Sequence, residues 1–192
     1  MDLVFATNNE NKLKEIQQLL GSSINILSLR ALGCFDEVPE TGDTLEANAL
    51  QKARYIYNRY GKNCFADDTG LEVDALNGAP GVFSARYAGE EKNAQMNMDK
   101  LLLELRNVGD RKAKFRTVVA LIIDGEEYLF SGEVQGNILK SRQGAEGFGY
   151  DPIFQPTGYT MSFAQMGMAE KNAISHRGRA VSKLIGYLKN NI

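Results

Sequence analysis

Near its amino end the chain carries Leu3-Val4-Phe5-Ala6, a short apolar run suited to a buried strand. It leads directly into the polar turn Thr7-Asn8-Asn9-Glu10-Asn11-Lys12. Leu13, Ile16, Leu19 and Leu20 then recur at helical spacing with Gly21 as a stop, and Ile24 to Leu29 reads as a second strand. Strand, polar turn, helix and strand in that order define an α/β unit. The rest of the chain extends it. Residues 30–43 are irregular, and Asp43 is placed to cap a helix with Glu46 in the capping-box position. That helix carries Leu45, Ala49, Ala53, Ile56 and Tyr60 on one side and stops at Gly61. A strand leads to Asp67. Gly78-Ala79-Pro80-Gly81 is a loop, and Met96 to Leu105 is a further amphipathic helix. Phe115 to Ile123 and Tyr128 to Val134 flank an Asp124-Gly125 hairpin signal. Residues 144–152 form a glycine-rich loop, and Ala180, Val181, Leu184, Ile185 and Leu188 mark a last helix. With no repeat or linker in 192 residues, one domain spanning 1–192 is expected, a mixed sheet with helices packed on it.

A net charge of −2 gives no general basic field for nucleic acid, so an anionic ligand needs a local cluster of donors. Cys34 and Cys64 form neither a CxxC nor a zinc pattern, and one histidine excludes a multi-histidine site within one chain. No signal peptide and no run of membrane-spanning length is visible, so no membrane partner and a cytoplasmic location are expected.

Four groups could carry chemistry. Thr7 to Lys12 joins a strand to a helix start, where backbone N–H groups and the helix dipole attract anions. Thr7, the asparagines and Lys12 add donors, although the glycines of a Walker A loop are missing. Phe65-Ala66-Asp67-Asp68-Thr69-Gly70 places two carboxylates where a buried strand ends in a glycine turn, the side of an α/β sheet on which ligands gather. Neighbouring strand residues point to opposite faces, so Asp67 and Asp68 have different tasks. The plainer reading is an Asx turn closing the strand. With Glu37 and Glu40 these acids could hold magnesium, which takes one or two carboxylates plus substrate phosphates. Phe148-Gly149-Tyr150-Asp151 could stack on a base and read its edge, or plug the core with its aromatic rings. Lys171, His176 and Arg177 supply donors suited to carbonyl or phosphate oxygens. Together these are parts for phosphate, metal and base.

Thr7–Lys12, Ala66-Asp67-Asp68-Thr69-Gly70-Leu71, Gly78 to Tyr87, Gly147 to Pro152 and Ser175-His176-Arg177-Gly178 together resemble, in order, the motifs of the inosine triphosphate pyrophosphatase (Ham1-like) family. The resemblance runs from about Leu3 to Leu188. It implies an elongated α/β fold, two lobes around a central cleft, a homodimer and Mg²⁺. It also implies hydrolysis of noncanonical purine nucleotides, with ITP, dITP and XTP going to the monophosphate and pyrophosphate. Carried over, Thr7, Asn8, Asn9, Glu10, Asn11 and Lys12 grip the triphosphate. Asp68 is general base and metal ligand, and Thr69 touches substrate. Phe148, Gly149, Tyr150, Asp151, Lys171, His176 and Arg177 form the base and phosphate pocket. The family's metal-binding glutamate is expected three residues before Gly42, where Pro39 stands. Glu40 is the replacement ligand, with Glu37 further back. Other readings are a Maf-like nucleotide pyrophosphatase with another base preference, a non-catalytic nucleotide sensor, and an RNA-binding protein using the His-Arg-Gly-Arg segment.

Overall fold

A computed structural model describes residues 2–20 and 24–191. The expected stop at Gly21 lies outside the described residues. Among the described residues seven strands, β1 Asp2–Phe5, β2 Asn25–Ser28, β3 Cys64–Val73, β4 Pro80–Gly81, β5 Lys112–Ile123, β6 Glu126–Ile138 and β7 Phe154–Pro156, form one mixed sheet in the order β2-β1-β3-β5-β6-β7, with β4 on β3. β1 runs parallel to β2 and β3, whereas β3–β4 and β6–β7 are antiparallel. Helices are α1 Glu10–Leu20, α2 Leu45–Tyr60, α3 Ala94–Glu104, α4 Met168–Ile174 and α5 His176–Asn191. The mixed α/β sheet with flanking helices is as expected. Among the described residues no helix is long and apolar enough to cross a membrane.

The chain divides into two compact units. The first comprises Met1–Asp68, Thr117–Gly132 and Arg177–Ile192, and the second Thr69–Arg116 and Glu133–His176. Each has its own core. The first packs Leu3, Phe5, Ile16, Phe65, Leu121, Val181 and Leu184. Its centre is β3 beside β1, where parallel pairing buries both faces and the Phe5 and Phe65 rings stack at 4.6 Å. The second packs Leu71, Val73, Met98, Leu101, Phe115, Ile153, Phe154 and Phe163.

Two local expectations change. The strand does not end at Asp67-Asp68. Both acids lie inside the ten-residue β3, and Gly70 is a strand residue. A Cβ on Gly70 would stand 2.8 Å from the Gly81 carbonyl oxygen, so the glycine serves the close approach of β4 and makes no turn. The cap of α2 is Thr44, whose hydroxyl accepts the Ala47 N–H at 3.0 Å, not Asp43. Ala47 therefore takes the position expected for Glu46. The Asp124-Gly125 turn forms as expected, with both residues at left-handed φ of 50° and 87°, the geometry of a two-residue hairpin.

Candidate active site

The first unit gathers a buried cluster of charge around the Asp67-Asp68 pair. Alternation along β3 separates the two acids. Asp67 accepts from Lys12 Nζ at 3.0 Å and from Arg177 Nε at 3.1 Å. Arg177 Nη1 also donates to Glu15, so α1, β3 and α5 are tied by one chain of ion pairs. Asp67, Glu15 and Arg177 are all buried. Burial alone raises the Asp67 carboxyl, but Lys12, Arg177 and Lys52 outweigh it and hold the group well below the usual carboxylate range. Removing one member of such a set leaves a buried charge uncompensated, which is why all members must be present together.

Asp68 faces other partners. Lys52 Nζ lies 3.8 Å from its Oδ1 and also bonds Glu40, and Asn48, one turn before Lys52 on α2, accepts the Gly42 N–H on its Oδ1 at 2.7 Å, two residues on from Glu40. Burial pushes the Asp68 carboxyl up, Lys52 and Lys12 oppose it, and Glu40 adds to the rise. Two adjacent carboxylates are thus tuned in opposite directions, as suits a fixed anion and a group that exchanges protons. The lysines diverge as well. Burial pulls the Lys12 ammonium below its ordinary range although Asp67 opposes this. Lys52 is desolvated more than it can bear alone, but Asp68, Glu40 and Asp67 raise it above the ordinary value.

The turn before α1 is organised by its own side chains. Asn9 Oδ1 accepts the N–H groups of Asn11 and Lys12, and Thr7 Oγ1 accepts the Asn9 N–H. Asn9 thereby serves the helix start that was expected to serve an anion. The Thr7 hydroxyl keeps its proton to donate. The Lys12 side chain is 15% exposed. Asn8 and Glu10 are exposed, and Asn8 Nδ2 reaches the Asp36 carbonyl at 3.3 Å.

The second unit holds the other predicted residues. Asp151 Oδ2 accepts from the Phe148 N–H at 2.9 Å and from Lys171 Nζ at 2.7 Å, and Lys171 lies 4.8 Å over the Phe148 ring. Asp151 and Lys171 are buried, whereas Phe148 and Gly149 are half-buried. The Tyr150 hydroxyl donates to the Ser84 carbonyl at 2.7 Å, and its ring joins the core. His176 is buried and stacks on Phe115 at 4.6 Å. Thr69 is half-buried, next to Asp68 on β3. Arg177, expected in the substrate pocket, has its guanidinium engaged by Asp67 and Glu15 in the first unit.

Glu40 is the glutamate the structure brings to Asp68. Glu37 lies on the exposed loop. Among the described residues no three His, Cys, Asp or Glu side chains converge as a metal cage. Asp68 and Glu40 alone offer two carboxylates around a spot that already holds positive charge. That donor set fits magnesium, which completes its shell with water and phosphate oxygens. The sequence reading missed Glu15, Asn48 and Lys52. The signal for the last two was present, since they interrupt the apolar stripe Leu45, Ala49, Ala53, Ile56 of α2 at spacing i, i+4.

A buried carboxylate pair with attendant lysines stands beside a strand-to-helix turn, and comparison with known proteins specifies the class. Residues 3–187 match the model of the Ham1 family, and the chain belongs to that family. A dITP/XTP pyrophosphatase of Flavobacterium psychrophilum is 57% identical, covering 99% of this chain and all of that protein. One of Clostridium perfringens is 49% identical over 97% of this chain and 96% of that protein. The structure of the Staphylococcus aureus Ham1 protein superimposes with a TM-score of 0.91 at 38% identity, covering all of both chains.

Proposed function

We propose that this protein hydrolyses ITP, dITP and XTP to the nucleoside monophosphate and pyrophosphate. It is a nucleoside-triphosphate pyrophosphatase acting on noncanonical purine nucleotides. The observation that carries the reading at the level of chemistry is Asp68. It is a carboxylate raised by burial and flanked by Lys52, within a full-length likeness to dITP/XTP pyrophosphatases.

Attack of water on the α-phosphorus forms one P–O bond and breaks the bond to the β-phosphate, releasing pyrophosphate. The catalyst must orient the water, take its proton and neutralise the leaving group. Asp68 takes the proton. Lys12 and the Thr7 hydroxyl hold the triphosphate, and Asp67, fixed by Arg177, keeps the Lys12 ammonium in place. Asn8, Asn9, Glu10, Asn11 and Thr69 stand in the proposal as further contacts at the phosphates. Mg²⁺ held by Asp68 and Glu40 would supply charge neutralisation for the departing pyrophosphate.

Base choice follows from hydrogen bonding at the Phe148–Asp151 turn. Hypoxanthine and xanthine present an acceptor at position 6, whereas adenine presents a donor. A site holding Lys171 and backbone N–H groups leaves adenine's amino group facing donors, a mismatch worth orders of magnitude. Phe148 supplies a ring face for the base. His176 and Tyr150 set the shape of the turn through Phe115 and Ser84. The homodimer and the cytoplasmic location also belong to this proposal, the latter in keeping with the free buried thiols of Cys34 and Cys64.

Asp68→Asn tests the assignment. It should fold with a thermal midpoint close to wild type yet lose turnover of ITP by about a thousandfold, as base and metal ligand are removed together. Turnover near wild type would contradict the role of Asp68.

A further inference from the structure

The motif Gly78 to Tyr87 carries no acid and a single cation, Arg86. Its buried centre is Ser84, where β4 gives way to the short 3₁₀ turn Ser84–Arg86. The Ser84 hydroxyl is used twice. Oγ donates to the Gly81 carbonyl at 2.6 Å and accepts the Leu71 N–H of β3 at 2.9 Å. A hydroxyl has one proton, so donation to Gly81 leaves its lone pairs for Leu71. The Ser84 carbonyl faces two further donors, the Tyr150 hydroxyl at 2.7 Å and Asn97 Nδ2 of α3 at 3.4 Å. Asn97 grips the neighbouring residues as well. Its Nδ2 donates to the Ala85 carbonyl at 2.9 Å, and its Oδ1 accepts the Ala88 N–H at 2.7 Å. Leu71, Ser84, Asn97 and Tyr150 are all buried within the second unit.

The Phe148–Asp151 turn is closed on itself. Asp151 Oδ2 accepts the Phe148 N–H, and the Asp151 N–H reaches the Phe148 carbonyl at 3.2 Å. Those bonds fix the shape of the turn and not its place on the sheet. A path from the turn to β3 runs through the Tyr150 hydroxyl to Ser84 and from Ser84 to Leu71, two residues on from Thr69. Breaking either bond leaves a buried polar group to be satisfied elsewhere, so the path holds as a unit.

We propose that Ser84 is a positioning residue for base choice: with its carbonyl and its hydroxyl it holds Tyr150, and with it the Phe148–Asp151 turn, at a fixed place on β3. The inference rests on the reading of that turn as the base site. A site that recognises a base by hydrogen bonds favours the right base only while its donors stand in place. A shift of about 1 Å in such a site can cost on the order of 100-fold. Loss of the tie therefore lowers efficiency for ITP more than for ATP, whose amino group at position 6 gains nothing from donors there.

The test measures kcat/KM for ITP and ATP, with thermal midpoints, in wild type, Ser84→Ala, Tyr150→Phe, the double variant, Lys100→Ala and Phe148→Ala. Tyr150→Phe keeps the ring in the core and removes only the donor. It and Ser84→Ala should each lower the ITP-to-ATP ratio on the order of tenfold. Loss of folded protein lowers both substrates alike and leaves that ratio unchanged. The double variant should lose no more than the larger single loss, as for residues acting through one contact. Lys100 Nζ donates to the Tyr87 carbonyl at 2.8 Å, so Lys100→Ala loosens the same segment away from Ser84 and should leave the ratio within about twofold of wild type. A ratio within about threefold of wild type in either single variant, losses that multiply in the double variant, or an equal loss in Lys100→Ala would overturn the proposal. If Ser84→Ala does not fold, Tyr150→Phe decides by the same comparison with Lys100→Ala. Phe148→Ala with unchanged efficiency for ITP would instead overturn the reading of the turn as the base site, so the two failures are distinguishable.

Discussion

Asp67 and Asp68 are adjacent in sequence, yet their surroundings shift them in opposite directions from the ordinary carboxylate value, and this makes the pair testable residue by residue. Asp67 is held below the usual carboxylate range, so its charged form stabilises the fold at all pH values above the unfolded pKa of about 4. That contribution is lost as pH falls from there toward the lower folded value. Asp67→Asn should cost about 3–5 kcal/mol at neutral pH by leaving Lys12 and Arg177 without their shared anion. It should also flatten the decline of stability between about pH 4 and pH 2. Urea unfolding at several pH values measures both, and an unchanged acid slope would contradict the ion-pair account. Lys52→Met removes the cation between Asp68 and Glu40. It should lower turnover of ITP by about 100-fold or more, since Asp68 and Glu40 lose the preorganised charge they share. Steady-state kinetics on folded protein is the check. That Asp67 and Asp68 face different partners was legible from strand alternation alone. Which one holds Lys12 was not, because Arg177 stands 110 residues away and contributes the second half of the clamp.

At the scale of the element, the ends of strands and helices were the least readable feature. β3 was expected to stop at its acids because Asp and Gly are poor strand residues. It continues because Lys12 and Arg177 engage Asp67 and Lys52 stands beside Asp68 in mid-strand, and because Gly70 admits β4. Those partners come from α1, α2 and α5, and no local window contains them. The short elements β7 and α4 carry too few residues for a periodic signal. In contrast α2 and the β5–β6 hairpin were readable from spacing and from Asp124-Gly125. The cap of α2 offers a clean comparison. Thr44→Ala should cost about 1 kcal/mol, whereas Asp43→Ala should be nearly neutral because its side chain is not the one capping α2. Chemical denaturation of the two variants separates them, and a larger loss at Asp43 would contradict the observed cap.

At the scale of the whole molecule, the charged cluster around Asp68 and the Phe148–Asp151 turn belong to different compact units. Lys12, Glu40 and Asp68 lie in the first, and Phe148, Asp151 and Lys171 in the second. The order of motifs along the chain made the family legible, because five short patterns in sequence constrain far more than any one. It did not reveal that Arg177 is engaged by acids within the first unit, since a motif records residue types and not their partners. The division also predicts separable defects. Variants around Asp68 should lower turnover of every substrate alike. Lys171→Met, which strips Asp151 of its buried partner, should change the ranking of bases as well as cost about 3–5 kcal/mol in stability. The most direct measurement of the central claim is pyrophosphate release from ITP, XTP, GTP and ATP with and without Mg²⁺. The account predicts Mg²⁺-dependent release of pyrophosphate, with kcat/KM for ITP and XTP exceeding that for ATP and GTP by about 100-fold or more. Equal efficiency across the four, or release of orthophosphate in place of pyrophosphate, would contradict it.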